Sequence, residues 1–419
     1  MSDLLGIGYS GLKAYSRALS TIGDNIANAQ TPGYARRRLE MMEAVGGGNS
    51  IFYRGNTNPG GVDIRGIDRS VDGWLIEDSR ITSGDAERSA TKLGWLGKTE
   101  DALSDETNGI KTGLTKLYTT ADQLTADPTN RTLRAQFLQS VDDIASGFRT
   151  AAGQLDKMGE GIEGAAASTV DQFNSNLNAL EQINIGLRKA RPGSTNEASL
   201  LDERDRLLDK LSSQAGVSPT FDNNGAVTLR AAGSGDLLVG GSPLAISTGS
   251  LAGLAEGANH VADQRASLDT MATQFASQLN AAHQAGTDAN GNPGQPLFTG
   301  TSAATLTAAT LTPDQVAAAN ASGSNGNMLA LGAMRGANDP EARWSGHLAT
   351  QAQAVSSARA QDAAAATRAD ASAAARDGVS QVDLDTEAAE LLRFQQAYSA
   401  AARTIQVARE TMQTLLSSL

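Results

Sequence analysis

Apolar side chains recur every seven residues at both ends of the chain, and this repeat constrains the fold more than any other feature. Near the amino terminus the rows are Leu5, Leu12, Leu19 and Ile26, and Tyr15 and Ile22. Near the carboxyl terminus they are Leu384, Leu391, Tyr398, Ile405, Met412 and Leu419, and Phe394, Ala401, Ala408 and Leu415. A seven-residue period is typical of helices that pair as a coiled coil. We therefore predict a helix at each end and expect the two helices to pair.

A turn follows the first of these helices, within the stretch NIANAQTPGYARRR at 25–38. Pro32 lacks the amide donor that a continuing helix needs, and Gly33 tolerates the positive φ of a type II turn. Three arginines, Arg36 to Arg38, come directly afterwards. In a chain with a net charge of -12, so short a basic run indicates a solvated polar strand edge rather than an anion site.

The whole pattern predicts a mainly α, elongated chain with a small β-rich part. Two proline breaks, Asp127-Pro128 and Arg191-Pro192-Gly193, divide the helical pattern, and Asn223-Asn224-Gly225 indicates a hairpin turn. The predicted segments are 1–34, heptad helix and turn; 35–70, short strands and loops; 71–215, helical body; 216–255, small β-rich domain; 256–378, helical return with an irregular stretch at 301–339; and 379–419, second heptad helix.

Two of the predicted helices carry more detailed expectations. SLLDERDRLLDKLS at 199–212 places its leucines on one face, so we expect its charged residues on the opposite, solvated face. The last helix is expected to begin at Asp383 or Asp385, because aspartate caps helix amino termini. The alanine-rich helix that starts at Pro340 is expected to end at Gly378.

Composition excludes several classes of function. The acidic balance argues against a nucleic-acid surface, and no 18-residue apolar run is present, so no membrane insertion is expected. The chain has no cysteine, which excludes disulfides and thiolate chemistry. The first thirty residues lack the apolar core of a secretory leader, so none is expected.

No motif supports a catalytic, cofactor or metal site. GIGYSG at 6–11 fits a dinucleotide-binding pattern, but no strand can precede it, so its glycines indicate close helix packing instead. DANGNP at 288–293 lacks the glycine and glutamate of a calcium loop and indicates a turn. The histidines His260, His283 and His347 are far apart, which makes zinc or acid-base use improbable.

The two ends resemble the terminal signatures of the bacterial flagellar rod, hook and hook-associated proteins. NIANAQTPGY at 25–34 resembles their amino-terminal signature, and LLRFQQAYSAAARTIQVARETMQTLL at 391–416 their carboxy-terminal one. Interior stretches at 125–148, 200–212 and 279–299 are similar to the hook-associated members in particular. The signature turn carried over from this resemblance consists of Asn25, Asn28, Thr31, Pro32, Gly33 and Tyr34.

The resemblance implies a structural subunit that assembles as a ring between hook and filament. Its implied partners are copies of itself, the hook protein on one side, the next hook-associated protein on the other, and a cytoplasmic export chaperone at the carboxy-terminal helix. It further implies passage through the flagellar type III export channel and an extracellular location. The heptad residues would then pack within the chain and between copies. No long insert follows the β-rich region, so the outer domain is expected to be reduced.

Two alternatives remain open from the sequence. A hook or rod subunit would share both terminal signatures and would polymerise into long tubes instead of a finite ring. A secreted wall-active enzyme is the more distant alternative, and an assay for turnover of peptidoglycan would detect it. The terminal helices are expected to be marginal alone and to gain order when neighbouring copies add surface to bury.

Overall fold

A computed structural model describes residues 2–44, 60–104, 109–231, 247–337 and 340–417 of the chain. Within these ranges the helices are α1 Ser2–Ala27, α2 Gly73–Leu103, α3 Ile110–Ala126, α4 Arg131–Lys189, α5 Thr195–Gln214, α6 Gly249–Gln284, α7 Gly326–Ala337, α8 Pro340–Ser380 and α9 Leu384–Ser417. The strands are β1 Arg37–Glu43, β2 Val62–Arg69, β3 Val217–Phe221, β4 Val227–Ala231, β5 Phe298–Thr299 and β6 Thr307–Ala308. The strands pair in chain order as three antiparallel hairpins. The predicted mainly helical fold with a small β part is confirmed.

Local chemistry sets where several elements end. After α1, the Tyr34 amide donates to the Thr31 carbonyl at 3.1 Å, and Gly33 has a φ of +76° between them. This is the predicted turn at Pro32. At the start of α9, the Asp383 carboxylate accepts the Asp385 amide at 3.0 Å, which caps the helix as predicted.

The chain divides into two compact units. Unit 1 contains Met1–Asp85, Asp171–Gly249 and Ala365–Leu419, and unit 2 contains Ala86–Val170 and Ser250–Ala364. Each unit therefore collects stretches that are distant in the chain. The division into six segments stays an interpretation of the sequence.

Unit 2 has a core of large apolar side chains. The fully buried ones include Leu114 and Leu117 of α3 and Phe137, Ile144 and Leu155 of α4. The helix α7 packs against α3 in this unit. The sequence predicted irregular structure over 301–339 around a short helix begun at Thr312-Pro313. A short 3-10 helix does begin there, at Pro313–Gln315. The helix α7 was not predicted, because its glycine-rich composition weakens the helical pattern.

The hairpin turn predicted at Asn223-Asn224-Gly225 joins β3 to β4 in unit 1. Of the predicted β-rich segment, residues 232–246 lie outside the described residues, and α6 begins at Gly249, inside that segment. The helix α8 continues to Ser380, two residues past the predicted stop at Gly378.

Candidate assembly site

The terminal helices α1 and α9 pack against each other in unit 1. A Cβ atom built on Gly8 would lie 2.7 Å from Cγ1 of Ile405, and one built on Gly11 would lie 3.8 Å from Cβ of Ala401. Because the partner number in α9 falls as the number in α1 rises, the two helices are antiparallel. The predicted pairing of the chain ends is confirmed.

Small residues form most of the α1 side of this contact. Within α1 the buried residues are Gly8, Gly11, Ala14, Ala18, Thr21, Ile22 and Asn25. Tyr15 is half-buried on the same face, with its ring centroid 6.1 Å from that of Phe394. Without large side chains on α1, the two helix axes can approach closely. Gly8 and Gly11 of GIGYSG therefore act in helix packing, as the sequence indicated, whereas Gly6 is exposed.

The row of leucines in α1 does not occupy the centre of this contact. Leu5, Leu12 and Leu19 are half-buried, and Ile26 is exposed. Each leucine of this row follows a residue of the buried Gly8 row by four positions, as Leu12 follows Gly8. The leucine row therefore runs along one side of the contact and not through its centre. A seven-residue repeat alone could not decide which row faces α9.

Both predicted rows of α9 face α1 along the middle of the helix. Leu391, Phe394, Tyr398, Ile405 and Met412 are half-buried, and Ala408 is buried.

The ends of the predicted α9 rows lie beyond the reach of α1. Leu384 and Leu415 remain 50% and 51% exposed, because α1 does not extend far enough to cover them. Leu419 lies outside the described residues.

The helix pair leaves further apolar side chains in water, which we name the outer apolar residues. They are Leu4, Ile7 and Tyr9 of α1 and Leu392, Val407 and Leu416 of α9. Four of them expose more than half of their surface: Leu416 at 70%, Tyr9 at 66%, Val407 at 61% and Leu392 at 60%. Apolar side chains grouped in one large exposed patch mark a site of protein interaction, whereas single ones are common on any protein surface.

Asn25 joins the end of α1 to the start of β1 and to α9. Its side chain is 1% exposed. The amide nitrogen donates to the Arg37 carbonyl at 2.9 Å and to Glu387 Oε2 at 3.0 Å. The amide oxygen accepts the Arg37 amide at 3.0 Å and the Tyr34 hydroxyl at 2.9 Å. These bonds occupy both donors and both acceptor positions of the side chain.

The remaining signature residues shape the turn itself. Thr31 donates its amide to the Asn28 carbonyl at 2.9 Å and its hydroxyl to Asn28 Oδ1 at 3.2 Å. Pro32 and Gly33 are exposed. A Cβ atom on Gly33 would lie 2.4 Å from Cγ of Arg206, so any side chain here would displace that arginine.

The arginine run is largely inside the unit, which corrects the prediction of a solvated strand edge. Arg36 donates to Glu387 Oε1 at 2.6 Å, and the Arg37 side chain, 6% exposed, donates to Asp202 Oδ2 at 2.7 Å. Only Arg38 of the three is exposed. Partners on α9 and α5 explain the burial, and these partners are more than 160 residues away in the sequence.

Two carboxylates of α5, Asp202 and Asp205, are also buried, which corrects part of the predicted charged, solvated face. Asp202 accepts from Arg69 Nε at 2.8 Å in addition to Arg37, and Asp205 accepts from Arg69 at 2.8 Å. Asp205 also accepts from Arg80 at 3.2 Å and from Arg204 at 2.7 Å. Buried carboxylates need such partners, because an unpaired buried charge is costly.

Burial and charge act together on the ionisation of this cluster. Burial alone would raise the pKa of Asp205, but Arg204, Arg69 and Arg80 outweigh it and hold the pKa below its usual value. Burial lowers the pKa of Arg204 against the attraction of Asp205. Burial also raises the pKa of Tyr34 to about 12, so its hydroxyl stays protonated and donates to Asn25.

The other motifs are structural. Asp288 accepts the amides of Asn290 and Asn292 at 2.8 Å each, which makes DANGNP a turn as predicted.

The histidines make ordinary structural contacts. The His283 ring, which is fully buried, lies between the Gln295 carbonyl at 2.5 Å and the Ala317 amide at 2.9 Å. His260 Nε2 lies 2.6 Å from Gln351 Oε1. His347 stacks on Trp344, with ring centroids 5.6 Å apart.

Two absences apply to the part of the chain that the structure describes. No group of three or more His, Asp or Glu side chains in it is placed to hold a metal ion. No helix in the same ranges combines the length and the apolar content needed to cross a bilayer.

Three family models match different parts of the sequence. The flagellar hook-associated protein FlgK helical domain matches residues 96–245 and 242–298. The flagella basal body rod protein family matches residues 5–34, and the flagellar basal body rod FlgEFG protein C-terminal family matches residues 378–418. The last two matches fall on α1 with its turn and on α9.

Individual relatives agree with these matches. Flagellar hook-associated protein 1 of Salmonella typhimurium is 25% identical over 333 residues, which cover 71% of this chain and 59% of that protein. The chain thus spans less than two thirds of that relative's length. The Bacillus subtilis protein of the same name is 22% identical over 493 residues, covering 97% of this chain and 96% of that protein. Among solved structures, the flagellar hook junction protein FlgK from Burkholderia pseudomallei aligns with a TM-score of 0.47 and 23% identity, over 53% of this chain and 46% of that one.

Proposed function

We propose that this chain, which belongs to the FlgK family of flagellar hook-associated proteins, is a structural, non-enzymatic subunit that joins hook to filament. The observation that carries the proposal is the antiparallel pair of α1 and α9 with its uncovered outer apolar residues. This pair coincides with the two stretches that match rod-protein families. Copies of the chain that assemble in a ring would cover these side chains.

In this proposal the predicted heptad residues act at two levels. The side chains that face α9 or α1 hold the pair together within one chain, whereas the flanking leucines of α1 pack between copies. Leu5, Leu12 and Leu19 are suited to the second role because they are only half-buried. Burial of each large aliphatic side chain contributes about 1.5–3 kcal/mol, so a ring of copies would gain substantially from covering them.

The proposed partners are the hook protein on one side of the ring and the next hook-associated protein on the other. A cytoplasmic chaperone would protect α9 before export through the flagellar type III channel, and the assembled protein would be extracellular. The absence of cysteine suits a chain that is threaded unfolded, because no disulfide must be broken first. A helix pair of marginal stability also suits export, because it unfolds readily before the chain enters the channel.

Complementation of a bacterial strain that lacks its own copy of this protein tests the proposal. The full chain should restore swimming and filament retention, and a chain without residues 390–419 should be exported yet fail to join the flagellum. Leu392→Lys is expected to reduce swimming strongly, because it places a charge among the outer apolar residues. Gln395→Lys, at an exposed polar position of the same helix, is the matched control. Normal swimming of the truncated chain would contradict the proposal.

A hook or rod subunit is the second candidate, and the rod-protein matches at both ends favour it. The match to the FlgK helical domain over 96–298 favours the junction protein instead. Electron microscopy of the purified full chain separates the two candidates. Long tubes would indicate a hook or rod subunit, and finite rings or monomers would indicate the junction subunit.

A further inference from the structure

The apolar contact between α1 and α9 does not by itself determine how far one helix is shifted along the other. Both helices repeat every seven residues, so a shift of seven places each row opposite an equivalent row. The α1 face consists mainly of Gly8, Gly11, Ala14 and Ala18, which carry little or no side chain to interlock with one particular row of α9. The three-residue link from α8 and the polar contacts of α9 are then the features that can select the register.

Glu387 is the one buried charged side chain on the described part of α9. It is 1% exposed, and its two oxygens accept from Asn25 Nδ2 at 3.0 Å and from Arg36 Nε at 2.6 Å. Arg36 is in turn fixed by its backbone amide, which donates to the Ser380 carbonyl at 2.8 Å. The carboxylate therefore contacts the end of α1 and the residue before β1 at the same time.

A shift of seven residues in either direction breaks this arrangement. In one direction Glu387 moves alongside Ala18, where a buried carboxylate has no donor. In the other direction Phe394 moves alongside Asn25, and Arg36 loses its carboxylate. A buried polar group left without a partner disfavours the shifted register by roughly tenfold, and a charged group disfavours it more strongly. Both shifts are therefore penalised by the same three polar residues.

We propose that Glu387, held by Asn25 and Arg36, is the residue that sets the register of α9 on α1. A single buried polar contact at a heptad position is the best-attested device for fixing register in paired helices. The proposal concerns one chain and does not depend on the assembly role proposed above. Glu387 is thus a positioning residue, and the apolar rows supply the attraction that it directs.

Engineered disulfides can report the register, because the chain contains no cysteine of its own. The pair Gly11→Cys with Ala401→Cys reports the observed register, since a Cβ on Gly11 would lie 3.8 Å from that of Ala401. Disulfides need a Cβ separation of about 3.5–4.5 Å. Gly11→Cys with Ala408→Cys, or with Phe394→Cys, reports a shift of seven in one or the other direction. In the observed register, residues 408 and 394 each lie about 10 Å along the α9 axis from residue 401.

The measurement is the yield of each disulfide in the full chain at equilibrium in a glutathione buffer. With Glu387 present, the observed-register disulfide should dominate. Glu387→Ala should raise the ratio of shifted to observed disulfide by about tenfold or more, since unpaired buried polar groups shift equilibria by that order. The ratio reports register even when the pair exchanges between docked and undocked states.

Two variants complete the test. Glu390→Ala, which removes a carboxylate that pairs with the exposed Arg393 on the same helix, is the matched control and should leave the ratio unchanged. Glu387→Gln keeps the size and one acceptor and should shift the ratio less than Glu387→Ala. An unchanged ratio in Glu387→Ala overturns the proposal. An equal loss of all three disulfides also overturns it, because Glu387 would then hold α9 on α1 without selecting the register. If circular dichroism shows that Glu387→Ala does not fold, the ratio in Glu387→Gln decides by the same criterion.

Discussion

The terminal helix pair of unit 1 and the helical body of unit 2 are both made of long helices, but they bury different side chains. In the body the buried residues are large, such as Leu117, Phe137 and Ile144, each 0% exposed. In the pair the most buried α1 residue is Ala14, at 0%, and its neighbours are glycines and alanines. Apolar burial scales with the area removed from water, so the body gains far more per residue. The pair instead depends on its polar contacts and on surface that other copies would cover.

The largest expected effect comes from emptying the core of the body. Phe137→Ala should destabilise unit 2 by about 3–5 kcal/mol, because it removes a buried ring and leaves a cavity. Urea unfolding measures this in a chain with Trp74→Phe, so that fluorescence comes from Trp95 and Trp344 of unit 2.

The corresponding truncation in the pair is the control for this prediction. Leu12→Ala should cost about 1 kcal/mol or less, because the side chain is only half-buried. Its effect is followed by amide hydrogen exchange across α1, because Trp74, the tryptophan of unit 1, is 72% exposed in the folded chain and reports unfolding weakly. Equal losses from the two truncations would contradict the difference between the regions.

The charged cluster should be nearly as sensitive as the apolar core, although it lies in unit 1. Asp205→Ala leaves Arg204 without a carboxylate, whereas Arg69 keeps Asp202 and Arg80 keeps Asp209. The loss should therefore lie at the lower end of the about 3–5 kcal/mol that removal of one partner of a buried ion pair costs. Asp171→Ala, at an exposed position of the same unit, should change stability by less than about 0.5 kcal/mol. Amide hydrogen exchange across α5 gives both values. A mild effect of Asp205→Ala would mean that Asp202 and Asp209 satisfy the arginines without Asp205.

A smaller effect is expected where α1 and α9 touch. Gly8→Ala places a methyl group 2.7 Å from Cγ1 of Ile405, and overpacking of this kind costs about 1–3 kcal/mol. Amide hydrogen exchange across α9 should accelerate accordingly. Gly23→Ala, in the same helix with nothing within 4 Å of the new methyl, should instead stabilise α1 by about 0.5–1 kcal/mol. The same exchange rate in both variants would mean that the close approach does not limit docking.

The mildest test separates the two units by pH. In unit 2, burial lowers the pKa of His283 and of His347. The unfolded chain therefore takes up protons first, and unit 2 loses stability as pH falls below about 6.5. In unit 1, the pKa of Asp205 is lowered, so its contribution is complete above about pH 3.9 and is lost only below that value.

This order is checked between pH 8 and pH 3 by urea midpoints from the tryptophans of unit 2 and by amide protection factors across α5 for unit 1. The joint substitution of His283→Gln and His347→Gln should flatten the response of unit 2 between pH 6.5 and pH 5. Loss of stability in unit 1 before unit 2 on acidification would reverse the expected order.

The candidate site was only partly predictable from the sequence. The turn at Pro32 and Gly33, the cap at Asp383 and the glycine packing in GIGYSG were predicted correctly, because each depends on residues within a few positions of one another. The burial of Arg37 was missed, since its partner Asp202 is 165 residues away and a basic run is usually solvated. The isolated Glu387 in an apolar heptad row was a usable signal, because a charge at such a position needs a buried partner.

Local propensities and caps act within a turn or two of the backbone, so the sequence was enough to predict two heptad helices, the end of α1 and the start of α9. The folded chain was needed to show which row of α1 faces α9, that the helices are antiparallel, and that Arg37, Asp202 and Asp205 are buried. A seven-residue repeat identifies the apolar side of a helix but not which of its neighbouring rows faces the partner. A charged side chain can be solvated by water or paired with a residue far away in the sequence, and its sequence neighbours are the same in both cases. The folded chain adopts the arrangement in which apolar burial and charge pairing together give the lowest free energy.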